Sequence, residues 1–331
     1  MRVGITTTIP VEVVIAGGHE PVDLNNLFIN SPERERLILS AERDGFPQNI
    51  CTWIKGIYGA VKEYGIENVI CVISGDCSNT IMLMEVLRMK GVNVIPFSYP
   101  PEPDPEILRR YIISLSKALG TDIREAERVR DELREIRKDL VKLDDMTVEG
   151  KITGFENHFW LVSSSDFRGN PYEFHNSLSS FLSEAEGREP KSGMEIGYIG
   201  VPPVFAKDLY SFIEAKGGRV VFNELQRQFS MPFEANSLEE QYSLYTYPYS
   251  IWMRIEDIKR EIKRRNIKGL IHYVQAFCHR AIGDIVIRGE VKIPILTLEG
   301  GDDFYLDEHK RTRIEAFMDI LERIKVKGGE A

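Results

Sequence analysis

The sequence predicts an α/β fold built from two Rossmann- or flavodoxin-like domains with mainly parallel sheets, which are joined by a helical segment. Short apolar runs alternate with helical patterns in both halves of the chain. Residues 194–223 have the strand–helix–strand pattern of one βαβ unit. The length of 331 residues suits two domains, since domains usually contain roughly 100–200 residues.

Composition shifts place the domain boundaries. We expect an N-terminal α/β domain over residues 1–104, a mainly helical connecting segment over residues 105–190, and a C-terminal α/β domain over residues 191–331. The first boundary falls in a proline-rich stretch, residues 99–105, which favours a stiff and extended exit from the domain.

The N-terminal domain begins with a predicted helix between Pro10 and Gly17, because proline suits the first helical turn and glycine the position after the last. Glu12 on this helix is expected to face solvent, or else to close a crevice from the N-terminal segment. A loop is predicted from there to about residue 32. A helix is predicted to begin at residues 31–35 and to end at the turn 44–47. The remaining elements are a helix that follows Cys51, strands at 69–74 and 92–97, and a helix at 80–89.

The connecting segment contains apolar residues at helical spacing from Ile123 to Leu140. Asp122 with Glu125 three residues later is typical of a capped helix start. The pattern therefore predicts one long amphipathic helix, whose charges of alternating sign form a solvated face.

The C-terminal domain has predicted strands at 196–201, 219–223, 269–274 and 293–298. Helices are predicted at 204–216 and 309–324, and the tyrosine-rich stretch 237–251 is expected to cover a crevice.

Composition excludes two classes of partner. The chain has 51 acidic and 42 basic side chains, so its net charge of −9 provides no basic surface for nucleic acid. No apolar run approaches the ~18 residues that cross a bilayer, and the N-terminus lacks a signal-peptide pattern. We therefore expect a cytoplasmic protein.

Three of the four cysteines stand where chemistry is expected. Cys77 and Cys278 each follow a predicted buried strand, and Cys51 begins a helix, where the dipole favours a thiolate. Ligands of parallel sheets collect beyond the carboxyl ends of the strands, so converging thiols there would form a soft-metal site with one open position. No CxxC spacing is present, and inert burial is the alternative at each position. Cys71, inside an apolar strand, is expected to be part of the core.

Two further residues are candidates for catalysis. Glu299 and residues 300–302 are predicted to lie just past the end of the strand at 293–298, in the same relative position as Cys278. Glu299 would then be a crevice acid, or a structural group that caps backbone amides. His279 would be a fourth ligand, an acid, a donor to cluster sulfur, or a solvated loop histidine.

Seven short motifs occur in an order that resembles the 2-hydroxyacyl-CoA dehydratase and benzoyl-CoA reductase family, which includes the 2-hydroxyglutaryl-CoA dehydratase D-component. The resemblance extends over nearly the whole chain. The motifs are residues 8–18 (TIPVEVVIAGG), 49–51 (NIC), 75–77 (GDC), 200–205 (GVPPVF), 276–278 (AFC), 294–299 (PILTLE) and 313–317 (RIEAF).

This resemblance implies that Cys51, Cys77 and Cys278 bind a [4Fe–4S] cluster with one open iron position, in the interdomain crevice. It implies an ATP-dependent iron–sulfur activator protein as electron donor, and an acyl-CoA thioester as substrate. In the dehydratases the electron produces a ketyl radical that loses the hydroxyl. It also implies a homodimer or a paralogous second subunit. The absence of GxxxxGK[ST] and GxGxxG motifs is consistent with that division of labour.

Three alternatives remain open at this point. Related proteins include non-catalytic electron-transfer or cluster-assembly subunits, and reductases in which two cubanes form a double cluster that reduces small molecules. A third alternative, from another class, is a structural zinc protein that uses the three cysteines and His279.

Overall fold

The computed structural model describes residues 1–301 and 303–329. Asp302, which the sequence placed in the loop after the last strand, lies outside the described residues. The chain divides into two compact units. Unit 1 contains Met1–Leu140, Leu161–Ser179 and Gln228–Ile251, and unit 2 contains Val141–Trp160, Ser180–Arg227 and Trp252–Ala331. The predicted domain limits at 104 and 190 stay a prediction.

The elements of the first half are, in chain order, β1 (Arg2–Ile5), α1 (Val11–Ala16), β2 (Glu20–Asp23), α2 (Leu24–Ile29), α3 (Arg34–Arg43), α4 (Thr52–Glu63), β3 (Asn68–Ser74), α5 (Asn79–Met89), β4 (Asn93–Ser98), α6 (Pro105–Ala118), α7 (Ile123–Glu132), α8 (Arg134–Glu149) and α9 (Gly154–Ser163).

The second half continues with a 3₁₀ turn (Phe167–Gly169), α10 (Pro171–Glu186), β5 (Met194–Gly200), α11 (Ala206–Ala215), β6 (Gly218–Asn223), α12 (Glu224–Phe229), α13 (Leu238–Leu244), α14 (Ile251–Arg264), β7 (Gly269–Gln275), a second 3₁₀ turn (His279–Ile282), α15 (Gly283–Glu290), β8 (Ile295–Gly300) and α16 (Glu308–Gly329).

Unit 1 contains a four-stranded parallel sheet in the order β2-β1-β3-β4. The central strands are apolar because both faces of a parallel sheet are covered by helices. Val3 and Ile5 of β1 and Val69, Ile70 and Val72 of β3 are completely buried.

Unit 2 contains a second four-stranded parallel sheet, in the order β6-β5-β7-β8. Numbered within each unit, both sheets have the order 2-1-3-4, which is the order of the first four strands of flavodoxin-like folds. The two sheets confirm the predicted α/β class with parallel sheets. None of the described helices combines the length and the apolar character that a bilayer crossing requires.

Two predictions about the helices and loops between residues 18 and 140 were wrong. The stretch predicted as a loop up to residue 32 contains β2 and α2, and the side chain of Asp23 caps α2 by accepting a hydrogen bond from the backbone N–H of Asn25 at 2.9 Å. The predicted long helix is divided at Leu133 into α7 and α8. Its predicted cap is confirmed, because Asp122 accepts hydrogen bonds from the N–H groups of Arg124 and Glu125.

Candidate functional site

Cys51 occupies the N-cap position of α4, as the sequence predicted. Its carbonyl oxygen accepts hydrogen bonds from the N–H groups of Ile54 (3.1 Å) and Lys55 (3.3 Å), which begin the helix. The side chain is only 6% exposed. A thiol at this position lies at the positive end of the helix dipole.

Cys77 lies in the turn between β3 and α5, where its carbonyl oxygen accepts a hydrogen bond from the N–H of Thr80 at 3.0 Å. The turn depends on Gly75, whose φ of +91° is in the left-handed region. A Cβ on Gly75 would lie 2.7 Å from Cβ of Tyr99 and 2.9 Å from Cβ of Pro248. Glycine at this position lets the chain turn sharply against the segment that carries Pro248.

Cys51 and Cys77 belong to the same hydrophobic cluster in unit 1. Cys51 is one of its buried members, and the half-buried Cys77 packs against it. The structure therefore brings these two predicted ligands to one region of unit 1.

Cys278 lies in the turn that follows β7 in unit 2 and is half-buried. Its N–H donates to the carbonyl oxygen of Gln275 (3.1 Å), and its own carbonyl accepts from the N–H of Ala281 (3.0 Å). Phe277 before it has a φ of +62°, which is rare for a residue other than glycine, asparagine or aspartate. The turn is thus a strained connection of the kind that is often found at functional positions.

Cys77 and Cys278 occupy equivalent positions in the two sheets. Each follows the third strand of the 2-1-3-4 order, β3 in unit 1 and β7 in unit 2. In this order the second strand lies on one side of the first strand, and the third and fourth lie on the other. Ligands of open parallel sheets bind beyond the carboxyl ends of the first and third strands, where the strand order reverses. Both cysteines therefore lie at a topological switch point.

Cys71 is a buried member of the same cluster as Cys51 but lies inside a strand. It lies inside β3 and is completely buried, as the sequence predicted. Burial raises the pKa of its thiol to about 12, because the charged thiolate has no water around it. Cys71 is a core residue. No disulfide joins any of the four cysteines, all of which are among the described residues.

Glu299 lies inside β8, so the prediction that it follows the end of this strand was wrong. Its backbone pairs with Val274 of β7, and the pairing continues through Gly300 and Gln275. The strand extends to Gly300 because its carbonyl oxygen still accepts a hydrogen bond from the N–H of Ala276 at 2.8 Å. The side chain of Glu299 is exposed near the carboxyl end of the sheet of unit 2.

His279 begins the 3₁₀ turn directly after Cys278 and is exposed. Partial desolvation, followed by the nearby charge of Arg280, lowers the pKa of its imidazole. Both causes favour the neutral ring, which can donate one hydrogen bond and accept another.

Sequence reasoning missed a polar network that joins α15, the helix after the Cys278 turn, to β7 and β8. Asp284 in the first turn of α15 contacts the buried His272 of β7 and Thr297 of β8. The only sequence signal was a histidine inside an apolar strand. Glu12, expected to face solvent, is completely buried instead.

The three thiols are suitable metal ligands by their chemistry, since cysteine thiolates are the usual ligands of iron–sulfur clusters. Within residues 1–301 and 303–329, no group of three or more His, Cys, Asp or Glu side chains has an arrangement that could hold a metal ion.

Comparison with known families gives a match that covers most of the chain. The model of the family described as 2-hydroxyglutaryl-CoA dehydratase, D-component, matches residues 6–321, which is nearly the whole chain. No curated protein matches the chain.

Proposed function

Since this chain belongs to the 2-hydroxyglutaryl-CoA dehydratase D-component family, we propose that it is the iron–sulfur component of a 2-hydroxyacyl-CoA dehydratase-like or low-potential reductase system. In this proposal Cys51, Cys77 and Cys278 hold a [4Fe–4S] cluster. The observation that carries it is the equivalent placement of Cys77 and Cys278 at the switch points of the two sheets.

The donor set supports the proposed ligands. Cys51 is at the N-cap of α4, and Cys77 is in the turn after β3, where it packs against the hydrophobic cluster that contains Cys51. The completely buried Cys71, with its raised pKa, is excluded from the set. A bound cluster supplies one-electron chemistry at low potential, and the surrounding apolar side chains exclude water and tune that potential.

We assign supporting roles to two residues of unit 2. Glu299 at the carboxyl end of β8 carries an exposed carboxylate that can orient a substrate or accept a proton. His279 presents a neutral imidazole next to Cys278, and its N–H can donate a hydrogen bond to a cluster sulfur or to the substrate. In neither role does the residue itself bind the metal.

The proposal includes partners. A component of this kind receives electrons from an ATP-dependent iron–sulfur activator protein and works with a second subunit, which is a second copy or a paralogue. The substrate class is an acyl-CoA thioester, and the compartment is the cytoplasm. The chain's lack of P-loop and dinucleotide motifs is consistent with a separate protein that hydrolyses ATP.

The test is metal and sulfide content, with EPR after dithionite reduction, on protein prepared without oxygen. We expect about four irons per chain in the wild type. Cys278→Ala should lose the iron and the EPR signal, whereas the matched control Cys71→Ala should keep both. Zinc in place of iron would overturn the proposal in favour of a structural zinc protein. Absence of any metal from the reconstituted wild type would reject a metal centre altogether.

A further inference from the structure

Asp284 is the centre of a hydrogen-bond network that joins α15 to the sheet of unit 2. Its Oδ1 lies 2.6 Å from Nδ1 of His272 and accepts a hydrogen bond from the Thr297 hydroxyl at 2.8 Å. Its Oδ2 accepts a hydrogen bond from Nε of Arg288 at 2.7 Å. Three side chains thus contact one carboxylate.

The contacts come from two neighbouring strands and from the next turn of the helix. His272 and Thr297 are register partners in β7 and β8. Arg288, four residues after Asp284, also donates to the Thr297 hydroxyl and to the carbonyl oxygen of Ile295 (3.2 Å). The first two turns of α15 are therefore fastened to both strands.

The network is shielded and charged. The side chain of His272 is 3% exposed and that of Asp284 is 21% exposed. Burial alone would raise the pKa of Asp284, but the hydrogen bonds from His272, Arg288 and Thr297 and the charge of His272 hold it well below the usual range. Asp284 is therefore a carboxylate at neutral pH. Hydrogen bonds to a charged acceptor of this kind are stronger than neutral ones.

The turn that carries Cys278 has little packing of its own. No residue of the 3₁₀ turn from His279 to Ile282 is buried. Two large apolar residues are nearby: Phe277, which precedes Cys278, is 63% exposed, and Ile282, the last residue of the 3₁₀ turn, is 72% exposed. Apolar burial therefore contributes little to holding this turn in place. Besides the backbone hydrogen bonds of Cys278 with Gln275 and Ala281, the attachment of α15 holds its downstream end.

We infer that Asp284 is a positioning residue for Cys278, because it fastens the downstream end of the Cys278 turn to β7 and β8 through His272 and Thr297. Asp284 lies six positions after the cysteine in the sequence. The inference rests on the proposed function only in assigning Cys278 a ligand role. The mechanical attachment of the turn is independent of any cluster.

The test measures the alkylation rate of Cys278 by iodoacetamide in the full chain, stripped of metal with a chelator under nitrogen and read by peptide mass spectrometry. Asp284→Asn removes the charge that holds three partners, so we expect Cys278 to react about tenfold faster. Cys77 in unit 1 serves as the internal reference, and its rate should not change. Glu290→Gln is the matched control, because it removes a carboxylate at the last residue of the same helix, which pairs with Lys259 at 2.9 Å.

Thr297→Val is the second variant, because it keeps the side-chain shape while it removes one donor to Asp284. We expect a rise of about threefold in the Cys278 rate, and this variant decides the question if Asp284→Asn does not fold. Unchanged Cys278 rates in the variants that fold would overturn the inference, as would an equal rise at Cys77 or in Glu290→Gln. In reconstituted protein, Asp284→Asn should retain less iron than the wild type. Absence of iron from the wild type would overturn the proposed cluster, while the alkylation rates would still decide the role of Asp284.

Discussion

Arg137 and Glu12 form a buried ion pair in unit 1, in which Nη2 of Arg137 donates to Oε1 of Glu12. The same carboxylate accepts hydrogen bonds from Gln241 (3.0 Å) and from the hydroxyl of Tyr242 (2.8 Å). Burial alone would raise the pKa of Glu12, but the charge and hydrogen bond of Arg137 hold it below its usual value. The carboxylate of α1 is thereby joined to α8 and α13.

Replacement of Arg137 by Met should lower the free energy of unfolding by about 3–5 kcal/mol, because it leaves Glu12 charged and buried without its cation. The double variant Glu12→Gln/Arg137→Met should recover most of this loss, since neither charge then remains. Urea denaturation of the single and double variants measures the coupling. Equal stability of Arg137→Met and the wild type would contradict a paired role for this arginine.

Asp166 should make stability depend on pH. It is buried beside Asp23, whose N–H donates to its Oδ2 at 2.7 Å, and burial together with the neighbouring charge of Asp23 raises its pKa to about 7. The folded state therefore holds a proton that the unfolded state releases near the ordinary pKa of 3.8. Stability contributed by this proton is present at low pH and is lost as the pH rises from about 4 to about 7.

The comparison that isolates this effect is the difference in unfolding free energy between the wild type and Asp166→Asn, measured from pH 4 to pH 8. We expect the wild type to lose about 2–4 kcal/mol relative to the variant over that range. Parallel pH profiles for the two proteins would show that Asp166 ionises normally.

Gly75→Ala should destabilise unit 1 and disturb the turn of Cys77. The positive φ costs a residue with a side chain about 1–2 kcal/mol, and contact of the new Cβ with Tyr99 and Pro248 adds about 1–3 kcal/mol. Gly65→Ala is the matched control, because Gly65 also has a positive φ, +61°, but a Cβ at that position would meet no atom within 4 Å. If both variants lose the same stability, the close packing at Gly75 has no role.

Cys71 should resist alkylation in the folded protein. With a pKa raised to about 12, fewer than about one in a thousand of its thiols is ionised at pH 8, and the thiolate is the reactive form. Peptide mass spectrometry after iodoacetamide treatment should detect the Cys71 adduct only when guanidinium is present. Rapid labelling of Cys71 without denaturant would reveal local opening of β3.

The strongest signals in the sequence were buried strands followed by turn residues. The apolar runs that became β3 and β7 were interrupted directly after their last residues, so the positions of Cys77 and Cys278 followed from local pattern alone. The N-cap position of Cys51 was predictable for a similar reason, because the helical pattern of α4 begins at the next residue.

The errors came from tertiary context. β2 is an edge strand that contains Pro21, and a proline normally argues against a strand, but an edge strand has backbone groups without ladder partners. The solvent-exposed Glu299 reads as a loop residue, although its backbone continues the pairing with β7. The burial of Glu12 could not be foreseen, since its partner Arg137 is 125 residues away.

The two units are interleaved along the chain, and this has a consequence for biosynthesis. A ribosome synthesises β5 and β6, which belong to unit 2, before it makes Gln228–Ile251, the last part of unit 1. Folding of the N-terminal domain first, as is common for nascent chains, cannot complete unit 1 here. Early translation intermediates therefore expose apolar surface that residues synthesised later will cover. Since each unit consists of three segments of the chain, no single proteolytic cut or truncation releases either unit whole.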